Sequence, residues 1–184
     1  MRVFAICAAA ALAMGCTPAE EAENMAPGCD ARAAHTWNAA DQTLSVEAFS
    51  NGPGCDRAVA TLIIRDASGA PLYAETHFAG QVMTLAGAAD QAAMQTALGE
   101  WADPAGATTM QTTAALPEWP ASAEAPSNGE FPFYPDDEVD RAAYASLREQ
   151  NAPLFCYVQG MESMRCVAWI DNSIASVGLQ LFPG

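Results

Sequence analysis

Four cysteines, Cys29, Cys55, Cys156 and Cys166, lie in or beside the stretches where apolar and polar residues alternate. They constrain the fold more than any other feature, because the apolar supply around them is thin. Leu, Ile, Val and Phe together number 31 of 184 residues, against 41 Ala. With a formal charge of −15, that composition lies close to the disorder-prone range and rules out a large aliphatic core. Four Trp, four Tyr and eight Met supply the remaining bulk. The length suits one domain, and cross-links would offset a small core.

Cross-links need an oxidising compartment, and the N-terminus points to one. Residues 1 to 16 (MRVFAICAAAALAMGC) join a positive start at Arg2 to an apolar run from Val3 to Met14. That run is too short to span a bilayer and fits the apolar region of a secretory signal. The ending Leu12-Ala13-Met14-Gly15-Cys16 resembles the lipobox of bacterial lipoproteins. The resemblance covers this label alone, and it implies a signal peptide over 1–15 and acylation of Cys16. Ala13 stands where the commonest pattern has Leu, so ordinary signal cleavage after Gly15 is the alternative. Cysteine arithmetic argues independently for acylation. Cys7 leaves with the signal, five cysteines remain, and acylating Cys16 leaves four thiols for two bridges. Thr17 rather than Asp follows Cys16, which by resemblance to bacterial sorting implies the outer membrane, facing the periplasm.

Residues 16–28 comprise the lipidated cysteine and an acidic tether with three Glu and almost nothing to bury. A single domain is expected over 29–184. A short strand near Ala34 to Asn38 precedes a period-two run over 43–50, with Leu44, Val46 and Ala48 on one face. After the turn Asn51-Gly52-Pro53-Gly54 come two further strands, Ala58 to Arg65 and Leu72 to Phe78, completing an antiparallel meander. Residues 86–102 carry Met94, Ala97, Leu98 and Trp101 at helical spacing. Residues 104–135, with six Pro and no periodicity, read as a long loop. A second helix is expected to begin at Pro135 and Asp136 or Asp137 and to hold Arg148 in its last turn. Strand patterns return at Leu154 to Val158, Arg165 to Ile170 and Ile174 to Phe182. Direct pairing of Cys156 with Cys166 would centre the hairpin on Met161. Cys29–Cys55 would then be the other bridge, although the spacing leaves the two alternative pairings open. The expected class is α+β: an antiparallel β-sheet of six or seven strands with two helices, disulfide-stapled.

The chain has no Lys and seven Arg against 22 acids, so no basic face exists to neutralise nucleic-acid phosphates or anionic headgroups. No P-loop, dinucleotide fingerprint or nucleophile elbow occurs. The four late cysteines lack the close pairs of a zinc site and read as disulfides. Asp136, Asp137, Glu138 and Asp140 match no calcium loop and suit a helix start. Two candidate sites remain. Glu75 and His77 share one face of a strand with Tyr73, where a carboxylate beside an imidazole could bind a metal or poise a base; the plainer alternative is an exposed polar face of an edge strand. Trp119, Phe131, Phe133 and Tyr134, set among prolines, must either fold back onto the domain or stay exposed for a partner. In the latter case they would form a binding edge with the hairpin tip at Met161. The leading expectation is non-catalytic binding in the cell envelope, with no cofactor, of a protein or other envelope ligand, a cationic envelope protein being one candidate partner. The alternative is an envelope hydrolase or metal-dependent enzyme using Glu75 and His77.

Overall fold

The computed structural model describes residues 28–129 and 131–182. Residues 1–27, where the sequence leads one to expect the signal peptide, the acylated Cys16 and most of the tether, lie outside the described residues. The chain forms β1 (Ala31–Ala39), β2 (Gln42–Asn51), β3 (Val59–Arg65), β4 (Pro71–Phe78), a one-turn α1 (Met83–Ala86) and α2 (Gln91–Ala102). Then follow β5 (Ser127–Asn128), β6 (Phe131–Pro135), α3 (Arg141–Gln150), β7 (Leu154–Val158), β8 (Ser163–Ile170) and β9 (Ser173–Leu181).

The class is α+β with wholly antiparallel pairing and two disulfides, Cys29–Cys55 and Cys156–Cys166. All seven expected strands are present. They belong to two sheets, a four-stranded β1-β2-β3-β4 and a five-stranded β5-β6-β9-β8-β7. Cys156 lies directly opposite Cys166 in the β7–β8 register, which places Met161 at the hairpin tip.

Alternation along the strands builds the layers. Leu44, Val46 and Ala48 of β2 and Ala60, Leu62 and Ile64 of β3 are buried on one face of the first sheet. They share a core with Met94, Leu98 and Trp101 of α2 and with Phe155, Tyr157 and Val167 of the second sheet. The opposite face of that second sheet presents Leu154, Cys156, Cys166 and Ala168 to a further cluster containing Phe133, Tyr144 and Leu147. A chain poor in aliphatic residues thus fills its centre with rings. Trp37 and Phe155 lie 5.8 Å apart, Phe155 and Tyr157 5.7 Å, and Trp101 and Tyr157 5.9 Å between centroids.

Three boundaries differ from the sequence reading. The helix expected over 86–102 is shorter: Ala86 ends the separate turn α1, residues 87–90 are non-helical, and α2 begins at Gln91, with Asp90 capping it by accepting from the Ala93 N–H at 2.8 Å. Its polar Gln91 binds the backbone of Asp30, just before β1, and Gln95 that of Arg32 within β1, so side-chain amides occupy part of a free strand edge. The second helix begins at Arg141 behind Asp140, whose carboxylate accepts from the Ala143 N–H. Pro135 instead belongs to β6 and pairs with Gly178, and Asp136 binds Arg165. The 104–135 segment is also less irregular than its prolines suggest. It contributes β5 and β6, the latter paired with β9 at Phe133, Tyr134 and Pro135.

Candidate functional site

Part of each candidate region, Glu75 with Tyr73 from one and Tyr134 from the other, lines a shared cleft. It opens between β4 and the β6–β9 pair, holds about 560 Å³, and is lined by Tyr73, Glu75, Tyr134, Asp136, Asp137, Glu138 and Arg165 among others. Register explains how β4 contributes. Tyr73, Glu75 and His77 pair with Ile64, Leu62 and Ala60, all fully buried, so this face turns toward the second sheet. β4 is indeed an edge strand, but its polar face is the inner one. Phe78, on the other face, is 64% exposed. The inversion follows from packing: Tyr73 and His77 supply ring area to a core short of aliphatics, while Glu75 reaches the cleft mouth.

At the base of the cleft the Tyr73 and Tyr157 hydroxyls share a hydrogen bond of 2.7 Å. Burial pushes the Tyr73 phenol up to about 12, partly opposed by its bond to Tyr157. Burial likewise drives Tyr157 upward, aided by the neighbouring Tyr73. His77 packs edge-on against Trp101 and Tyr157, at centroid distances of 5.8 and 6.0 Å. Its Nε2 is buried with no hydrogen-bond partner among the described residues. Burial lowers the His77 pKa; nearby Glu75 opposes that shift and Arg165 adds to it.

The lowered pKa gives a pH prediction. An imidazole harder to protonate in the folded state than its ordinary 6.5 leaves the unfolded chain binding more protons once pH falls to that value. Stability should therefore decline from about pH 6.5 downward until the native imidazole also protonates. His77→Gln should flatten this part of a stability profile measured by denaturant titration; a slope unchanged in the variant would refute the assignment.

Arg165 is the one cation lining the cleft among the described residues. Its guanidinium donates to Asp136 Oδ1 at 2.7 Å, Ser176 Oγ at 3.1 Å and Gln159 Oε1 at 3.3 Å. Asp136 is consumed by that contact and Asp140 by its cap, whereas Glu75, Asp137 and Glu138 are exposed or partly exposed carboxylates around the opening. No group of three or more His, Cys, Asp or Glu side chains suited to holding a metal occurs among the described residues.

The remaining expected contacts divide by exposure. Trp119 folds back: Arg141 lies 4.6 Å above its ring, Tyr144 packs edge-on at 5.6 Å, and its Nε1 donates to the Ala123 carbonyl. Phe133 is wholly buried against Tyr144, and Phe131 is half-buried beside β5. Trp119 and Phe133 are packing residues, because β6 pairing turns Phe133 inward and Arg141 pins the loop that carries Trp119. Tyr134 is 49% exposed and Met161 is 51% exposed, but they do not form one edge. Tyr134 aligns with Leu179 and Arg165, while Met161 lies at the hairpin tip beyond the strand. Sequence reading passed over Tyr157 and Arg165. The available signal was a phenol and a guanidinium interrupting otherwise apolar strand runs. No family model, curated protein or solved structure matches the chain.

Proposed function

We propose that this chain is a lipid-anchored cell-envelope protein whose folded domain binds a cationic envelope protein through the cleft between β4 and β6, without chemical conversion. The observation that carries the reading is the shared opening of Tyr134 and the Glu75, Asp137 and Glu138 carboxylates, with the lining cation already held by Asp136. An exposed aromatic ring beside unneutralised carboxylates suits an arginine or lysine side chain, which can stack and pair at once. The formal charge of −15 would steer such a partner toward the domain. A hydrolase using Glu75 and His77 draws less support, since Nε2 of His77 is enclosed while Glu75 stands at the surface.

An arginine-rich peptide titrated into the mature chain tests the site. Affinity should fall as salt rises and the Debye length shrinks from ~8 Å at physiological ionic strength to ~3 Å at 1 M. Tyr134→Ala should chiefly speed dissociation, and Glu75→Gln should chiefly slow association. Binding indifferent to salt and to both substitutions would reject the cleft. The anchor is tested separately: Cys16→Ser should lack the acyl mass present on the parent.

A further inference from the structure

We infer that the end of the domain bearing Val59, Phe78, Met83 and Met161 is a membrane-docking surface whose occupant is the zwitterionic interface of a lipid bilayer. This inference rests on the lipid-anchored reading for its geometry, and its test separates the two. Five large apolar side chains are exposed among the described residues. Scattered singly they would be unremarkable, but four belong to this one end, at 36% (Val59), 64% (Phe78), 41% (Met83) and 51% (Met161) exposure.

Backbone contacts tie these four positions together. Val59 and Phe78 form the terminal pair of the β3–β4 ladder, and the Ala79 N–H donates to the Ala58 carbonyl at 2.9 Å. The chain then turns into α1, where the Met83 N–H donates to the Gly160 carbonyl at 3.2 Å and brings the Met161 hairpin tip alongside. The path toward Cys16 leaves from the same end. Cys29 donates from its N–H to Gly52 at 2.9 Å and is bridged to Cys55, in the turn leading to β3. Residues 16–27 lie outside the described structure, and twelve residues extend at most ~40 Å. A chain acylated at Cys16 would hold this end, rather than the Asp66–Ala70 turn at the far end of the sheet, nearest the bilayer.

Charge selects the headgroup. The same loops carry Asp56, Arg57 and Glu162, with no excess of cations to hold an anionic surface. Apolar contact with a zwitterionic interface remains, strengthened by the high local concentration that an anchor creates.

The experiment places the acylated mature chain in vesicles of brominated phosphatidylcholine and compares Trp fluorescence quenching for Met83→Trp and Ala67→Trp, both at exposed positions. The Met83→Trp signal should be quenched roughly two-fold or more beyond the parent, and the Ala67→Trp signal no more than the parent. Equal quenching of the two, or added quenching of neither, overturns the surface. Intact mass reports acylation independently. If the acyl mass is missing, the anchor reading fails, and the unanchored chain mixed with the same vesicles still decides: selective quenching at position 83 upholds the surface, and its absence rejects it. A Cys16→Ser chain that dimerises without lipid and loses its dimer on Phe78→Ser would assign the patch to a second copy and overturn the inference.

Discussion

Gly178→Ala should destabilise the domain by roughly 3 kcal/mol or more and loosen the wall of the cleft. Gly178 has φ of +152°, a region that side-chain-bearing residues rarely enter. A Cβ there would stand 2.3 Å from the Tyr134 carbonyl oxygen, 2.8 Å from the Phe133 ring and 2.9 Å from the Pro135 Cα. The first and last are backbone atoms of β6, so the collision cannot be relieved by a rotamer change. The neighbouring register supplies the reason for this close approach. Between Cys166 and Val167 the β8–β9 pairing shifts, so that Cys166 faces Gly178 while Val167 faces Ser176. The displaced strand presses Gly178 against β6 opposite Pro135. Denaturant midpoints should drop without loss of either disulfide. Protease should also cut first near 127–135, because β6 has only the two-residue β5 on its other side. A variant with the parent's midpoint would show that β6 can move away at little cost, and Tyr134 would then be a poor fixed contact.

Part of this fold is legible in the sequence and part is not, for a physical reason. Runs such as Leu44, Val46 and Ala48 carry a period of two that reports the buried face directly, and the cysteines set the β7–β8 register because only opposed positions bring their Cα atoms to 4.1 Å. β6 carries no comparable signal. Its sequence Phe131-Pro-Phe-Tyr-Pro135 contains two residues that cannot donate to a ladder, which ordinarily argues against a strand; here the two-residue β5 leaves it almost an edge. β4 misleads in another way, since ranking by polarity puts Glu75 and His77 outside. Rings of Tyr73 and His77 nevertheless fill space that Leu or Ile would fill in a chain with more aliphatic residues, and the carboxylate is carried to the cleft with them. The site is therefore assembled from pairs far apart in sequence, Tyr73 with Tyr157 and Asp136 with Arg165, which no local pattern connects.

Trp101→Ala should carry the largest penalty of any single side-chain truncation in the core behind that cleft, about 3–5 kcal/mol. Trp101 is 2% exposed. Its Nε1 donates to the Val158 carbonyl at 2.6 Å, which links α2 to the end of β7. Its ring also stands edge-on to both Tyr157 and His77. Truncation therefore opens a cavity at the contact of the two sheets and removes a buried donor from a carbonyl, two costs that Trp101→Phe would separate. The Phe variant keeps most of the ring volume and should lose the share due to the hydrogen bond, about 1–2 kcal/mol, plus a packing cost smaller than that of full truncation. A second readout follows from the desolvation of His77. Water admitted by Trp101→Ala should relieve the burial that lowers the imidazole pKa, so the fall in stability below pH 6.5 should become shallower in this variant. Chemical denaturation of the parent, Trp101→Phe and Trp101→Ala across that pH range measures both effects together. A Trp101→Ala chain as stable as the Phe variant would mean that the neighbouring rings collapse into the vacated space. A full penalty with an unchanged pH slope would mean that another part of the core, rather than Trp101, keeps water from His77.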